Sequence, residues 1–430
     1  MMLSVWGVVC AFLFFAACNK AVSQVDIDQN DLVLSVDESY QLTAKVFPEN
    51  ASVKTVTWSS SDEQIVSVSN EGAVTAVKAG KATITARSGD QSDAITITVA
   101  TPIVDGAANC YIISASGIYS FKTVQGNSSK SVGSVASAAL LWESFGTDEA
   151  PAKGDIIAGL TYYNGTIAFT TPSSLKDGNA LIAAKDADNN ILWSWHIWVC
   201  KDYDPDATAQ TYNNGAGKMM DRNLGATSAT PGDVGALGLM YQWGRKDPFL
   251  GSSSVSSSST AASTLQWPDP VGSNDDTGTI DYAVAHPTTF IKGGGSMDWL
   301  VEGDNNLWKS AKTIYDPCPP GWRVPEGGSN GVWAKAADET DDFSCQWNSD
   351  SKGMNFSGKF GSDENIWYPA AGYLGYNVGS LDNVGSRGSW WSCTPVGNKA
   401  DRLIIQDNGN VGPAGINARS VGNAIRCFKD

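Results

Sequence analysis

The chain has 430 residues, 45 of them acidic and 29 basic, for a formal net charge of −16. A polyanion gains nothing from bulk electrostatics at a nucleic-acid backbone or an anionic lipid surface, so neither is an expected partner. With 42% hydrophobic residues, 44 glycines and 16 tryptophans, the composition fits a folded, aromatic-rich, mainly β protein rather than a disordered one.

Met1 to Ala17 are uncharged and, Ser4 aside, apolar or glycine. The run VVCAFLFFAAC, ending at Cys18, is too short to span a bilayer and fits the apolar core of a signal peptide. Phe15-Ala16-Ala17-Cys18 resembles a bacterial lipobox, with Phe15 where Leu is usual and no Lys or Arg before the core. The resemblance implies removal of residues 1–17, Cys10 among them. It also implies lipidation of Cys18, and membrane attachment through that lipid only.

Strand signals fill Val25 to Ala100. Alternation is clear in Leu32-Val33-Leu34-Ser35-Val36, in Gln41 to Val46 and in Ala82-Thr83-Ile84-Thr85-Ala86. Turn signals at Pro48-Glu49-Asn50, Asn70-Glu71-Gly72 and Ser88-Gly89-Asp90 recur at the spacing of a small sandwich. The segments Val56-Thr57-Trp58-Ser59-Ser60-Ser61, Ile65-Val66-Ser67-Val68, Gly72-Ala73-Val74-Thr75-Ala76 and Ala79 to Ile84 resemble the bacterial Ig-like group 2 domain. That resemblance implies a β-sandwich over 19–101, used as a spacer on surface proteins and sometimes as an adhesive module. Trp58 is expected in its core.

Thr101-Pro102 reads as a linker, and 102–202 as a second β-sandwich. In Ile191 to Val199, Leu192, Ser194, His196 and Trp198 share one face, while Trp193, Trp195 and Ile197 share the other. Two bulky faces predict a central strand rather than a sugar platform. The isolated His196 is expected to make a buried hydrogen bond rather than a catalytic contact.

From Tyr203 the pattern changes. Lys218 to Ala226 predicts a strand entering a loop, Leu239 to Asp247 a short helix, and Ser-rich Gly251 to Ser263 a flexible surface loop. Five segments are distinctive: Asp316 to Pro325 (DPCPPGWRVP), Met219 to Leu224, Tyr368-Pro369-Ala370-Ala371-Gly372, Ser389-Trp390-Trp391-Ser392 and Ile425-Arg426-Cys427. Together they resemble the Fibrobacter major paralogous domain, which implies a C-type-lectin-like fold over 203–430. A helix including Trp333 to Asp338 follows from it, with Trp322 and Trp391 in the core. The fold class is therefore mainly β with a C-terminal α+β domain: N-terminal Ig-like sandwiches, then a C-type-lectin-like domain.

Six cysteines follow Cys18, and an exported chain can pair them. The expected bridges are Cys318–Cys427 and Cys345–Cys393. Cys110 and Cys200 are either paired or free buried thiols. With no CxxC spacing and only two histidines, a zinc site is not expected.

The tail from Val384 to Asp430 is a short apolar strand among Gly, Asn and Ser loops. It resembles the variable regions diversified by retroelements in proteins of this fold. Leu403 and Ile405 would point inward, and Arg402, Ile404 and Gln406 outward. Asn410, Asn417, Ser420 and Asn423 lie in polar loops. With Ser389 and Trp390, this outward set is the expected ligand surface, for a host or bacterial surface protein or glycan.

Calcium-dependent sugar binding would need clustered oxygens. Neither Glu-Pro-Asn nor Gln-Pro-Asp occurs, and Trp267-Pro268-Asp269-Pro270 and Asn274-Asp275-Asp276 are poor substitutes. Arg387 to Cys393 faintly resembles the cysteine region of formylglycine-generating enzymes, but Cys393 has no second cysteine beside it. The sequence thus predicts a non-enzymatic, lipid-anchored adhesin of the outer membrane or cell surface with no cofactor. A fimbrial or pilus-tip subunit is the alternative.

Overall fold

The computed structural model describes residues 20–103, 106–295, 297–337, 345–361 and 366–430. Cys18 and the signal-peptide segment lie outside them, as does Asp338. The chain is mostly β and divides into two compact units, one ending at Ala100 and the other running Thr101–Asp430.

In the first unit, Gly80–Ser88 and Gln91–Pro102 form a hairpin whose register closes at Ser88 opposite Gln91. Leu32–Ser35 runs parallel to the second of these strands, and Thr57–Ser60 antiparallel to the first. Ser39–Gln41, Ala73–Ala76 and Val66–Val68 make a separate three-stranded sheet. Strict alternation in Gly80–Ser88 buries Ala82, Ile84 and Ala86, and Leu32, Leu34, Val66, Val74, Ile97 and Val99 are buried in the same unit. This is the period-2 pattern of a strand with one face in the core. Trp58 departs from expectation, because it is half-buried. Its ring caps Gly72, which sits at φ +84°, and a Cβ there would lie 2.8 Å from the indole.

The second unit begins with two facing sheets. Cys110–Ile113, Ile191–Val199, Gly178–Lys185 and Ser137–Ser144 pair in that order. Ile118–Lys122, Thr166–Thr170 and Gly159–Tyr163 pair opposite them. Ile191–Val199 is central, as its two bulky faces predict. Trp193, Trp195, Ile197 and Val199 pack between the sheets with Tyr111, Phe121, Ile167 and Phe169. The other face of Ile191–Val199 is covered by the chain beyond Tyr203. Trp198 joins Leu224, Tyr241, Trp243, Trp391 and the Cys318–Cys427 pair in a second core. Buried polar bonds tie the same segments: Asn109 Nδ2 donates to Ile314 O (2.7 Å) and Asp316 O (2.9 Å), and Asn179 Nδ2 to Gly225 O (2.9 Å).

The remainder has few long elements. Phe428–Lys429 lies between Gly217–Met219 and Trp322–Arg323. Helix Val332–Ala337 buries Trp333 and Ala336, and the Trp333 indole N–H donates to Tyr368 Oη (2.9 Å). No helix forms over 239–247. Tyr241–Gln242 is instead a short strand paired with Gly422–Asn423, a long-range contact that local pattern cannot show. The Ser-rich stretch is not a free spacer either. Ser252 is buried, its hydroxyl donates to Ser257 O and Ser259 O, and Ala262 N–H donates to Thr147 O.

Cys318 and Cys427 are joined across a sequence separation of 109. Cys345–Cys393, expected as a second bridge, is not formed; both are free thiols, as are Cys110 and Cys200. The reason is placement. Cys393 is buried in the core holding the disulfide, whereas Cys345 packs on the core around Trp333 and Tyr368.

Candidate ligand face

Three antiparallel strands build the C-terminal sheet: Arg387–Val396, Lys399–Gln406 and Val411–Ala418. Successive residues of the first strand point to opposite faces. Trp390 points inward, edge-on to Tyr368 at 4.7 Å between ring centroids, and its indole N–H donates to Asn223 Oδ1 (2.8 Å). Leu403 and Ile405 share that core, as their alternation predicts.

The opposite face carries Arg387 beside Gln406, Ser389 beside Ile404, and Trp391 beside Arg402. Gly412 stands across from Ile404, and a Cβ there would come within 2.8 Å of Ile404 Cγ2, so this part of the face must stay free of side chains. The expected members Ser389, Arg402, Ile404 and Gln406 are therefore on one face. Ile404 and Gln406 are half-buried and Asn410 is exposed at the turn that follows.

Depth differs from expectation. Ser389 is fully buried and Arg402 only 6% exposed, with Arg402 Nη1 donating to Ser389 Oγ at 2.9 Å. Trp390 does not face a ligand, because it fills the core beneath. Ser420 is buried away from this sheet, its hydroxyl donating to Met297 O (2.7 Å). Asn417 is half-buried and accepts from its own neighbour's N–H, that of Ala418 (3.0 Å). Asn423 is fully buried, and neither its amide oxygen nor its amide nitrogen has a hydrogen-bond partner.

Arg387 and three residues the sequence did not mark, Tyr373, Asp382 and Asn383, complete this region. Arg387 stacks over Tyr373, with its guanidinium carbon 5.0 Å from the ring centroid. The Tyr373 hydroxyl donates to Asp382 Oδ2 (3.0 Å) and accepts from Asn383 Nδ2 (3.0 Å). Leu374 pairs with Gly422 in antiparallel register, which sets Tyr373 and Asn423 side by side as the next residues along. The Nε atoms of both Arg387 and Arg402 are buried without a partner. Burial, and next the charge of Arg387, push the Arg402 guanidinium down to about 9. The alternation that places Ser389 also places Arg387, two residues earlier; nothing local marks Tyr373.

Two larger depressions lie elsewhere in this unit. One, of about 580 Å³, is lined by Ile103, Tyr111, Phe121, Lys122 and Asn127. The other, of about 530 Å³, is lined by Tyr203, Asp206, Pro320, Trp322 and Lys429. Their charged groups are already engaged: Lys122 Nζ donates to Thr166 Oγ1 (2.9 Å), and Lys429 pairs with Asp206 (2.6 Å). Burial raises the four free thiols, Cys200 and Cys345 to about 11 and Cys393 to about 12, so they are held as thiols rather than nucleophilic thiolates. Among the described residues, no group of three or more His, Cys, Asp or Glu is arranged to hold a metal ion.

The paired sheets of the first unit define a bacterial Ig-like sandwich. Residues 21–99 match the family of the bacterial Ig-like domain (group 2). An α-L-arabinofuranosidase of Bifidobacterium longum subsp. longum is 52% identical over 66 residues, covering 15% of this chain and 6% of that protein. A lacto-N-biosidase of Bifidobacterium bifidum is 40% identical over 84 residues, 19% of this chain and 8% of that protein. The likeness to these glycosidases is confined to the Ig-like segment, and the chain spans less than a tenth of their length. A GH10 xylanase from termite gut containing a bacterial Ig-like domain is 24% identical over 16% of this chain and 18% of its own, with a TM-score of 0.14. No helix among the described residues is long and apolar enough to cross a membrane.

Proposed function

We propose that this chain is a non-enzymatic ligand-binding protein of a bacterial cell surface. A lipid on Cys18 tethers it, the β-sandwiches of 19–101 and 102–202 are a stalk, and residues 203–430 are a C-type-lectin-like head of the Fibrobacter major paralogous type. Its partner is a surface protein or glycan. The observation that carries this reading is the face on which half-buried Arg387, Ile404 and Gln406 lie beside the buried Arg402–Ser389 pair. Charged, apolar and amide groups held on a paired sheet limit the entropy lost on binding. The raised thiols, Cys393 included, weigh against cysteine chemistry of the formylglycine-generating kind.

The test is binding of the purified full chain to glycan and surface-protein arrays, with and without EDTA, beside Gln406→Ala and Arg387→Ala. A hit weakened by both substitutions and indifferent to EDTA is expected. Silence on both arrays would end the binding reading. Labelling by a tagged fatty acid, lost in Cys18→Ser, tests the tether.

A further inference from the structure

We infer that Arg387 and Arg402, together with Ser389, Tyr373 and Asn423, form a site for the carboxylate of an acidic sugar. The inference rests on the reading of this unit as a ligand-binding head and specifies its ligand. Two guanidinium groups share one sheet face, and among the described residues neither forms an ion pair. Placing like charges together without a counter-ion is costly, and the cost is offset when a bound anion joins them. Arg402 is 6% exposed and Asn423 fully buried, yet Arg402 Nε and both Asn423 amide atoms lack partners. Buried polar groups are normally satisfied, so unpaired groups on Arg387, Arg402 and Asn423 in neighbouring strands call for a shared explanation.

The register connects them. Ala424 N–H donates to Ser389 O (3.0 Å), Ser389 Oγ accepts from Arg402, and Tyr373 lies between Asn423 and Arg387. Planar guanidinium groups match a carboxylate's two oxygens. Asp382 accepts from Tyr373 and Asp401 from Ser392 (3.2 Å), and neither is in a salt bridge with Arg387 or Arg402. A sugar suits the surroundings better than a peptide. Amides of Gln406, Asn383 and Asn410 border the site, with Ile404 as an apolar contact for a sugar's C–H face. A peptide adding to the sheet would meet Pro413 on the Val411–Ala418 edge, where a donor is missing.

The experiment is ligand-observed NMR on the full chain with D-glucuronate, D-galacturonate, D-glucose, D-galactose and N-acetylglycine. The expected result is binding of a uronate but not its neutral sugar, weakened about tenfold or more in Arg387→Gln with an unchanged melting temperature. Arg402→Lys keeps a buried cation but loses the fork, and is expected to weaken binding likewise. Equal binding of neutral sugars overturns the carboxylate assignment while leaving the binding head intact. N-acetylglycine binding as well as the uronates overturns the sugar. A uronate whose binding ignores both substitutions overturns the site. Absence of uronate binding overturns the inference; absence of every array ligand removes the binding head as well.

Discussion

His196 Nε2 lies 2.8 Å from Asn179 Oδ1, and Asn179 Nδ2 donates to Gly225 O at 2.9 Å. The second bond orients the amide, so its oxygen faces the ring and His196 Nε2 must carry the proton. Nδ1 is buried without a partner, and burial depresses the imidazole to about 3. A depressed folded-state value contributes stability that is complete above the unfolded value near 6.5 and is lost as pH falls toward 3. Asp316 and Asp401 act oppositely. Burial raises both to about 6, and their contribution is lost as pH rises through that value. Comparing variants separates the two. His196→Gln is expected to remove an acid-dependent loss on the order of 4 kcal/mol between pH 6.5 and 3, read by urea melts of the second unit at several pH values.

The buried ion pair welding the central strand to the later chain gives a second test. Lys246 Nζ donates to Asp247 Oδ1 (2.7 Å), Ser194 Oγ (2.6 Å) and Ser194 O (3.0 Å). Asp247→Ala strands a buried ammonium and is expected to cost about 3–5 kcal/mol. Lys246→Met with Asp247→Leu is expected to cost clearly less. Equilibrium denaturation of both, beside each single variant, measures the coupling.

Removing the Cys318–Cys427 bridge is expected to destabilise the second unit by about 4–5 kcal/mol. The first unit, without cysteines between Lys20 and Ala100, should melt unchanged. Calorimetry of Cys318→Ala/Cys427→Ala, with two resolved transitions, checks this. Alkylation of unreduced, unfolded 20–430 chain should label Cys110, Cys200, Cys345 and Cys393 and leave Cys318 and Cys427 unmodified.

Glu143 offers a fourth. Fully buried, its carboxylate accepts N–H bonds from Gly154 (2.8 Å), Ile156 (3.0 Å) and Ile157 (2.7 Å). Glu143→Gln turns one acceptor into a donor facing donors. A loss of about 2–3 kcal/mol is expected in denaturant melts, against under 1 kcal/mol for the exposed Glu149→Gln.

The Ile191–Val199 strand was legible because period-2 alternation carries its own geometry: two apolar faces require two covers. The tail shows where such reasoning stops. Alternation put Arg402, Ile404 and Gln406 on one face, and they share it with Ser389. It could not give depth, because Tyr373 and Asn423 come from separate strands joined by distant pairing. Trp390, expected beside Ser389 on the ligand surface, lies on the opposite face, as alternation of adjacent residues requires. Cys345 and Cys393 were expected to pair, but spacing says nothing about which core a thiol enters. The 239–247 helix failed where Tyr241–Gln242 found a partner some 180 residues away, a pairing no local propensity encodes.

The strand Phe428–Lys429 is clamped between two others, and Cys427 just before it is bonded to Cys318. This sheet therefore closes only when Phe428 meets Met219, 209 residues earlier in the chain, as well as Arg323. Closure over so long a separation slows folding. Substitutions in Phe428–Lys429 would act on the keystone of the unit rather than on an edge.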